Sequence, residues 1–525
     1  MLGSTNRQLT FSDMWIANKI PKDSYYARIH DWIMLNLTDD MFQPLYSFYG
    51  RPSVSAVYLF SALLIQAEKG MSDLEMEGSS RFDDRIKYAL TAPRDFDGLD
   101  AVTLCEFRQR LFSSEVGREL FLKVLKQAKD AKMFDENNIN AIDAFMIYGS
   151  AARQSTYKML FMGIRTVLKT CQFYGLKNIS MDVLKRTDYD LNIQKPKINW
   201  EDKEEKESLI DALTEDAYSL INFLKPVVKA EYKDLIFAYE LLEKIIIQDV
   251  ELGENGKYRI IQGTAKDRII SVNDPDMRHG RKTSAKLHDG YKGEIITGGI
   301  NGELVVALDV MPANVPDGTN MGELIDQSEE NGQKVNKLYG DSAYNKRDEI
   351  NKRKEEIEFV VKVPAAVNKN GLYTKDDFKI DVENGTIECP NEKIVGFNPE
   401  SISKNGKTVC FGIENCDKCS RKDKCTKGKK GRTIHINPDE AKILEEKNFQ
   451  KTDEFKEDYV KRANVERTIS ELTKHGARQG RFIGIAKIRF QLLLSAINHN
   501  VKKIMKYIAN KNQDIIQDTE FLCLN

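Results

Sequence analysis

From Asn138 to Ile147 the chain reads Asn-Ile-Asn-Ala-Ile-Asp-Ala-Phe-Met-Ile. Ile139, Ala141, Phe145 and Ile147 alternate with Ile142, Ala144 and Met146, so both faces of an extended segment are apolar. Such a strand belongs in the middle of a sheet that is covered on both sides. This one feature demands a layered α/β core. Asp143 interrupts the first of these faces, and an ionised carboxylate is costly there unless it meets a cation or a solvent-filled cleft. Either it caps or pairs locally, or it belongs to a functional site.

Further strands are legible downstream. Tyr291 to Thr297 and Leu304 to Met311 flank Gly298-Gly299-Ile300-Asn301-Gly302, whose glycines and asparagine supply the positive φ angles of a hairpin. A polar helix is expected near Met321 to Asn331, then a strand Val335 to Tyr339, a short helix from Ala343 and a strand Ile357 to Val363. Two strands joined by a helix of that length fit a right-handed parallel crossover. With a closing helix from about Lys456, the order is that of an RNase H-like fold with a mixed five-stranded sheet. In that topology the first and fourth strands are neighbours.

The remaining segments surround this core. Residues 1–135 read as short helices with capping boxes at Ser72/Glu75 and Thr103/Glu106, an all-α N-terminal domain that either reads DNA or simply packs. Residues 136–149 carry the first core strand, 150–265 a helical insertion, 266–364 the rest of the sheet, 365–450 a cysteine-rich insertion and 451–525 the closing helices. With 525 residues, 41% hydrophobic and 30% charged, the chain is too apolar for disorder, and its 32 Gly and 13 Pro exclude collagen-like repeats. Apolar runs such as Ala56 to Ile65 fall short of the ~20 residues that span a bilayer, and the first residues lack a secretory apolar segment. A cytoplasmic protein without a membrane partner is expected.

The formal charge is only -1, but its distribution is uneven. Residues 459–510 hold eleven Lys or Arg against Glu466 and Glu471, while Glu201, Asp202, Glu204, Glu205 and Glu207 gather elsewhere. A basic stretch of this kind is either a polyanion-binding face or a solvated helical surface.

Asp341 follows the fourth strand in Leu338-Tyr339-Gly340-Asp341-Ser342-Ala343-Tyr344, where open α/β sheets bind ligands. Alone it reads as a helix N-cap. Tyr459, Arg462, Glu466 and Thr473 fall on one face of the closing helix, and Glu466 can complete a cluster with Asp143 and Asp341. The alternative is an Arg462 to Glu466 pair at i, i+4, worth a few tenths of a kcal/mol, roughly. Three carboxylates held together repel one another unless divalent cations neutralise them, and oxygen-only donors suit Mg²⁺ or Mn²⁺. Two such ions support in-line phosphoryl transfer on nucleic acid.

Ala141-Ile142-Asp143-Ala144, Tyr339-Gly340-Asp341-Ser342-Ala343-Tyr344 and Arg462-Ala463-Asn464-Val465-Glu466-Arg467 resemble the three signature blocks of the DDE transposases of bacterial insertion sequences. Tyr49-Gly50-Arg51-Pro52, Asp274-Pro275-Asp276-Met277-Arg278, Gly290-Tyr291-Lys292, Pro312-Ala313-Asn314 and Gln491-Leu492-Leu493-Leu494 also look like that family, so the resemblance spans about 45 to 510. It implies a triad of Asp143, Asp341 and Glu466 binding two Mg²⁺ or Mn²⁺ ions. It also implies cleavage of double-stranded DNA at the element's terminal inverted repeats, joining of 3′ ends to target DNA, and a homodimer on DNA. Tyr459, Arg462, Lys474, Arg478 and Arg481 are the implied DNA contacts. Thr473 stands where the family has lysine, and Lys474 comes one place later. A non-catalytic DNA-binding descendant and a nuclease without a joining step are the competing readings.

Five of the eight cysteines lie in one short stretch. Cys416 and Cys419 form a C-x2-C knuckle, Cys425 follows, and Cys389 precedes Pro390; thiolates at these spacings suit tetrahedral Zn²⁺, with Cys410 a substitute for Cys389 or simply packed. Unligated thiols are the alternative. His279, His288, His435, His475 and His499 lack metal-ligand spacing, and no phosphate-binding glycine loop suggests ATP dependence.

Overall fold

A computed structural model describes residues 1–5, 10–189, 195–281, 286–366 and 371–523, with side chains described as far as 511. Seven α-helices fill Phe11 to Asp130. The helix Ala56–Lys69 is capped by Ser55, which accepts from the Tyr58 amide, and it ends at Gly70 in the left-handed conformation (φ 69°). Its residues 56–66 are all buried, because it is apolar on every side and is wrapped by its neighbours. Ser72 and Glu75 form the expected capping box. Thr103 and Glu106 do not: Asp100 caps that helix by accepting from the Val102 and Thr103 amides, so the helix starts at Ala101 and Thr103 lies inside its first turn.

The core sheet is RNase H-like. Strand β1 is Asn140–Tyr148; β2 (Val250–Leu252) and β3 (Tyr258–Ile260) form a separate hairpin in the helical insertion; β4 is Arg278–Arg281, β5 Leu287–Gly298, β6 Leu304–Pro312, β7 Lys337–Gly340 and β8 Glu358–Val361. β5 runs antiparallel to β1, and β4 and β6 share the other edge of β5, taking its first and last parts. β7 lies parallel to β1, and β8 parallel to β7. The five expected strands are present, and β4 makes a sixth. Between β5 and β6, Gly299 and Gly302 have φ of 95° and 61°, as the hairpin requires.

The N-terminal helices, the sheet and the long helix Ile485–Cys523 share one continuous hydrophobic core. The insertion, built on Thr156–Phe173, Lys203–Leu224 and Lys233–Asp249, has a core of its own. A third, small core gathers Phe378, Ile387, Val409, Phe411, Ile434 and Ile436, with Cys389, Cys416 and Cys425 packed on it.

The closing segment is not one helix. Asp453–Tyr459 gives way to a 3-10 turn Val460–Arg462, then to a helix Ala463–Leu472, and the regular spiral ends at Thr473–Ala477, where Gly476 has φ 92°. Val465, Thr468, Ile469 and Leu472 form its buried face. Among the described residues, no helix is long and apolar enough to cross a membrane.

Candidate active site

Parallel pairing of Asn140 with Leu338 and Ala141 with Tyr339 sets Asp143, in the middle of β1, beside the end of β7, which Asp341 follows directly. Asp143 accepts from the Ala144 amide at 2.8 Å. Asp341 accepts from the Ala343 amide at 2.8 Å and so caps the single 3-10 turn Ser342–Tyr344; the N-cap reading is realised through one oxygen of this carboxylate. Glu466 comes from the helix Ala463–Leu472, and the preceding helix Asp453–Tyr459 is fastened to β7. Lys337 binds Asp458 at 2.8 Å, Tyr339 donates to Asp458 at 2.9 Å, and the Tyr459 hydroxyl donates to the Gly340 carbonyl at 3.1 Å.

Arg462 sits among these carboxylates. Its guanidinium reaches Asp143 Oδ2 at 3.3 Å and also binds Glu466 Oε1. The i, i+4 pair anticipated as an alternative therefore exists, and it extends to the strand carboxylate. Burial pushes the Asp143 carboxyl up to about 6; the Ala144 amide and Arg462 oppose that shift, while Asp341 and Glu466 add to it. The charges of Asp341 and Glu466 thus bear on Asp143, while one guanidinium pairs with both Asp143 and Glu466. Among the described residues, no group of three or more His, Cys, Asp or Glu side chains is gathered so as to hold a metal ion.

The other sequence-derived residues divide into two sets. The Tyr459 ring stacks on Phe455 and lies 5.8 Å from the Arg462 guanidinium, so both Tyr459 and Arg462 face the site. Lys474, Arg478 and Arg481 lie on the broken stretch beyond the helix: Lys474 and Arg478 are exposed, and Arg481 donates to the Met71 carbonyl at 2.6 Å. Arg481 also lines a cleft of about 500 Å³ between the N-terminal helices and the 475–495 segment, together with Arg108, Phe482 and His475. Each of His288, His475 and His499 bonds a backbone carbonyl, His279 pairs with Asp289, and His435 contacts Thr408.

Sequence reading missed two features of the site. Lys362, exposed at the end of β8, stands 4.5 Å over the Tyr459 ring and adds a cation beside the carboxylates. Glu294, on β5 opposite Ala144, is fully buried. A Glu placed between Gly293 and Ile295-Ile296 in a strand bound for the sheet's interior was the available signal.

In the cysteine-rich stretch, burial raises the Cys425 thiol, helped by its neighbours Cys416, Cys389 and Cys419. Cys389 Sγ accepts from the Lys393 amide and Cys416 Sγ from the Arg432 amide, each at 3.4 Å. Cys410 is exposed, and its thiol donates to the Lys430 carbonyl. No disulfide joins the described cysteines.

Comparison with known proteins adds two matches. Residues 388–505 match the family described as a transposase DDE domain, and residues 15–110 match the one described as Transposase domain (DUF772). The chain therefore carries transposase domains, consistent with a DDE-family insertion-sequence transposase. The first match includes Glu466 and the cysteines; Asp143 and Asp341 lie outside both. No curated protein and no solved structure matches the chain.

Proposed function

We propose that this chain is a DNA transposase that cleaves the terminal inverted repeats of its own insertion sequence and joins the freed 3′ ends to target DNA. The observation that carries this reading is the register of β1 and β7, which sets Asp143 beside the end of β7 that Asp341 follows, with Arg462 bridging Asp143 to Glu466. The oxygen-only donor set of these three carboxylates fits Mg²⁺ or Mn²⁺, and Arg462 holds in its place the positive charge that such a cluster needs. Two divalent ions, when bound, would activate the attacking oxygen and stabilise the leaving one.

The chain's own groups do the rest. Asp143, Asp341 and Glu466 would hold the ions, and the fastening of Asp458 to Lys337 and Tyr339 keeps the helix that leads to Glu466 against β7, which Asp341 follows. Arg462, once released from the carboxylates, is placed to bind a phosphate beside the cut, with Tyr459 and the exposed Lys474, Arg478 and Arg481 continuing that contact. Thiolates of Cys389, Cys416, Cys419 and Cys425 fit Zn²⁺ by donor chemistry, and backbone amides already donate to the sulfurs of Cys389 and Cys416. A zinc-fastened loop would then present Lys418, Arg421, Lys424 and Lys427 to DNA. We place the enzyme in the cytoplasm on nucleoid DNA, acting as a homodimer that bridges two ends.

The test is a labelled duplex that carries the inverted repeats flanking the gene, incubated with Mg²⁺, Mn²⁺ or EDTA and a second, unlabelled duplex. Metal-dependent nicking at the repeat boundary followed by joining supports the proposal. Cleavage without joining would reduce it to a nuclease, and binding without cleavage to a DNA-binding descendant.

A further inference from the structure

The register of the sheet carries the row of site residues one strand further. In the parallel pairs β1–β7 and β7–β8, Ala141 is level with Tyr339 and Gly340 with Val361. Asp341 keeps an extended backbone (φ -79°, ψ -175°), so counting on from these pairs sets Asp143, Asp341 and Lys362 level with one another. Residues level on neighbouring strands point to the same face of a sheet. The contacts agree at each place. Lys337 pairs with Glu358 and with Asp458, Asp143 meets Arg462, and the Lys362 ammonium stands 4.5 Å over the Tyr459 ring. One face of β1, β7 and β8 therefore carries two aspartates and a lysine in a row, under the helix Asp453–Tyr459 and the turn that follows it.

Two bonds tie Lys362 to Asp341. The Tyr459 hydroxyl donates to the Gly340 carbonyl at 3.1 Å, which fastens the ring beneath the ammonium to the residue before Asp341. Asn345, at the end of the turn that Asp341 begins, donates to the Lys362 carbonyl at 3.3 Å. The charge of Lys362 stays available. Among the described residues no carboxylate pairs with it, whereas Asp458 holds Lys337 and Lys461, and Asp143 and Glu466 hold Arg462. An aromatic ring attracts an ammonium but has no net charge, so Tyr459 orients this cation without cancelling it. Lys362 is exposed, and its N–H donors are open to an acceptor from outside the chain.

We propose that Lys362 binds the DNA phosphate next to the scissile one, on the β8 side of the carboxylates. This rests on the cleavage reaction proposed above. Ions held by Asp143 and Asp341 would take the scissile phosphate. Lys362 lies one strand further along the same row, about 4.8 Å beyond Asp341, so it meets the neighbouring phosphate instead. Arg462 reaches the row at its β1 end, through Asp143. The two cations bracket the cut and set the line that the DNA strand follows, from β1 toward β8. Lys362, unlike Arg462, has no carboxylate to leave before it can bind.

The test follows cleavage by the full-length protein in Mg²⁺ on inverted-repeat duplexes. Each carries one methylphosphonate, an uncharged phosphate analogue, placed in turn around the mapped cut. On the unmodified duplex Lys362→Ala should lose about tenfold in kcat/KM, the effect of one charge-assisted phosphate contact. It should melt with the wild type, because the side chain is exposed. On the duplex that is neutral at the phosphate adjacent to the cut, wild type and Lys362→Ala should cleave equally. On the other duplexes the tenfold gap should persist, and Lys362→Arg should recover most of the lost rate. Unchanged kcat/KM in Lys362→Ala, or the same gap on every duplex, would overturn the proposal while leaving the cleavage reaction standing. A wild-type protein that does not cleave the unmodified duplex would overturn both.

Discussion

Arg462 reaches Asp143 from the turn before the helix of Glu466, its Nη1 3.3 Å from Asp143 Oδ2, while the other end of the same guanidinium holds Glu466. A cation supplied by the protein thus stands among the carboxylates proposed to bind metal. Asp143 and Arg462 are each about one-fifth exposed, so this contact is screened less than a surface pair. Glu466 is half exposed, and its share of the interaction is correspondingly small. The arrangement is a competition between one monovalent cation and divalent ones.

That competition has a measurable sign. Arg462→Ala should bind Mn²⁺ more tightly than the wild type, since no internal cation has to leave. In EDTA it should melt earlier, by about 1–2 kcal/mol of stability, because Asp143 loses its partner. It should also bind DNA less well. Titration by calorimetry and melting curves with and without Mn²⁺ check this, and weaker Mn²⁺ binding would show that Arg462 supports the metal site instead.

The Asp143 carboxyl, raised by burial to about 6, gives a pH dependence. Because the folded protein holds this proton more tightly than the unfolded chain, the group's contribution to stability declines as pH rises from its ordinary range near 4 to about 6, then stays constant. Metal binding must release the proton, so Mn²⁺ affinity should climb through pH 6 and level off above it. Calorimetry from pH 5 to 8 measures this, with Asp143→Asn as the control that should remove the pH dependence.

Asp458 gives the opposite case. Burial works against its charge, but hydrogen bonds from Lys337, Lys461 and Tyr339 hold its pKa at about 2. A lowered carboxylate pKa stabilises the fold above its ordinary value and loses that contribution as pH falls toward 2. Asp458→Ala should lower stability at neutral pH by about 1–3 kcal/mol, since it frees the helix Asp453–Tyr459 from β7 and leaves the Tyr339 hydroxyl without its acceptor. The difference from the wild type should shrink in melts below pH 4.

If the four grouped cysteines bind zinc, purified protein should carry close to one equivalent, and Cys419→Ser should lose it together with several degrees of melting temperature. Cys410→Ser should do neither, because its thiol is exposed and donates to the Lys430 carbonyl. Elemental analysis of the three proteins decides the point.

Much of this organisation was legible in the sequence because it is local. The doubly apolar strand around Asp143, the glycine-rich hairpin after it and the Ser72 cap follow from periodicity and turn chemistry, and each forms as read. The Thr103 capping box failed because Asp100, an equally good cap three residues earlier, took the amides first. The face that would run from Tyr459 to Thr473 is interrupted because the chain tightens at Val460–Arg462 and the regular helix ends at Leu472, so helical spacing overstated its continuity. Arg462 has a helical partner that spacing identifies, but its contact with Asp143, 319 positions earlier, depends on how the sheet is assembled. Glu294 and Tyr344 are legible only as ordinary residues in a strand and a turn; that both are fully buried is a tertiary fact.

The central claim is that Asp143, Asp341 and Glu466 act as one metal-dependent unit on DNA. The most direct measurement is cleavage of the inverted-repeat duplex by Asp143→Ala, Asp341→Ala and Glu466→Ala in Mg²⁺, each with its DNA affinity measured alongside. Loss of cleavage by more than about a hundredfold in all three, with affinity nearly unchanged, is the predicted result. A single fully active variant among them would contradict it.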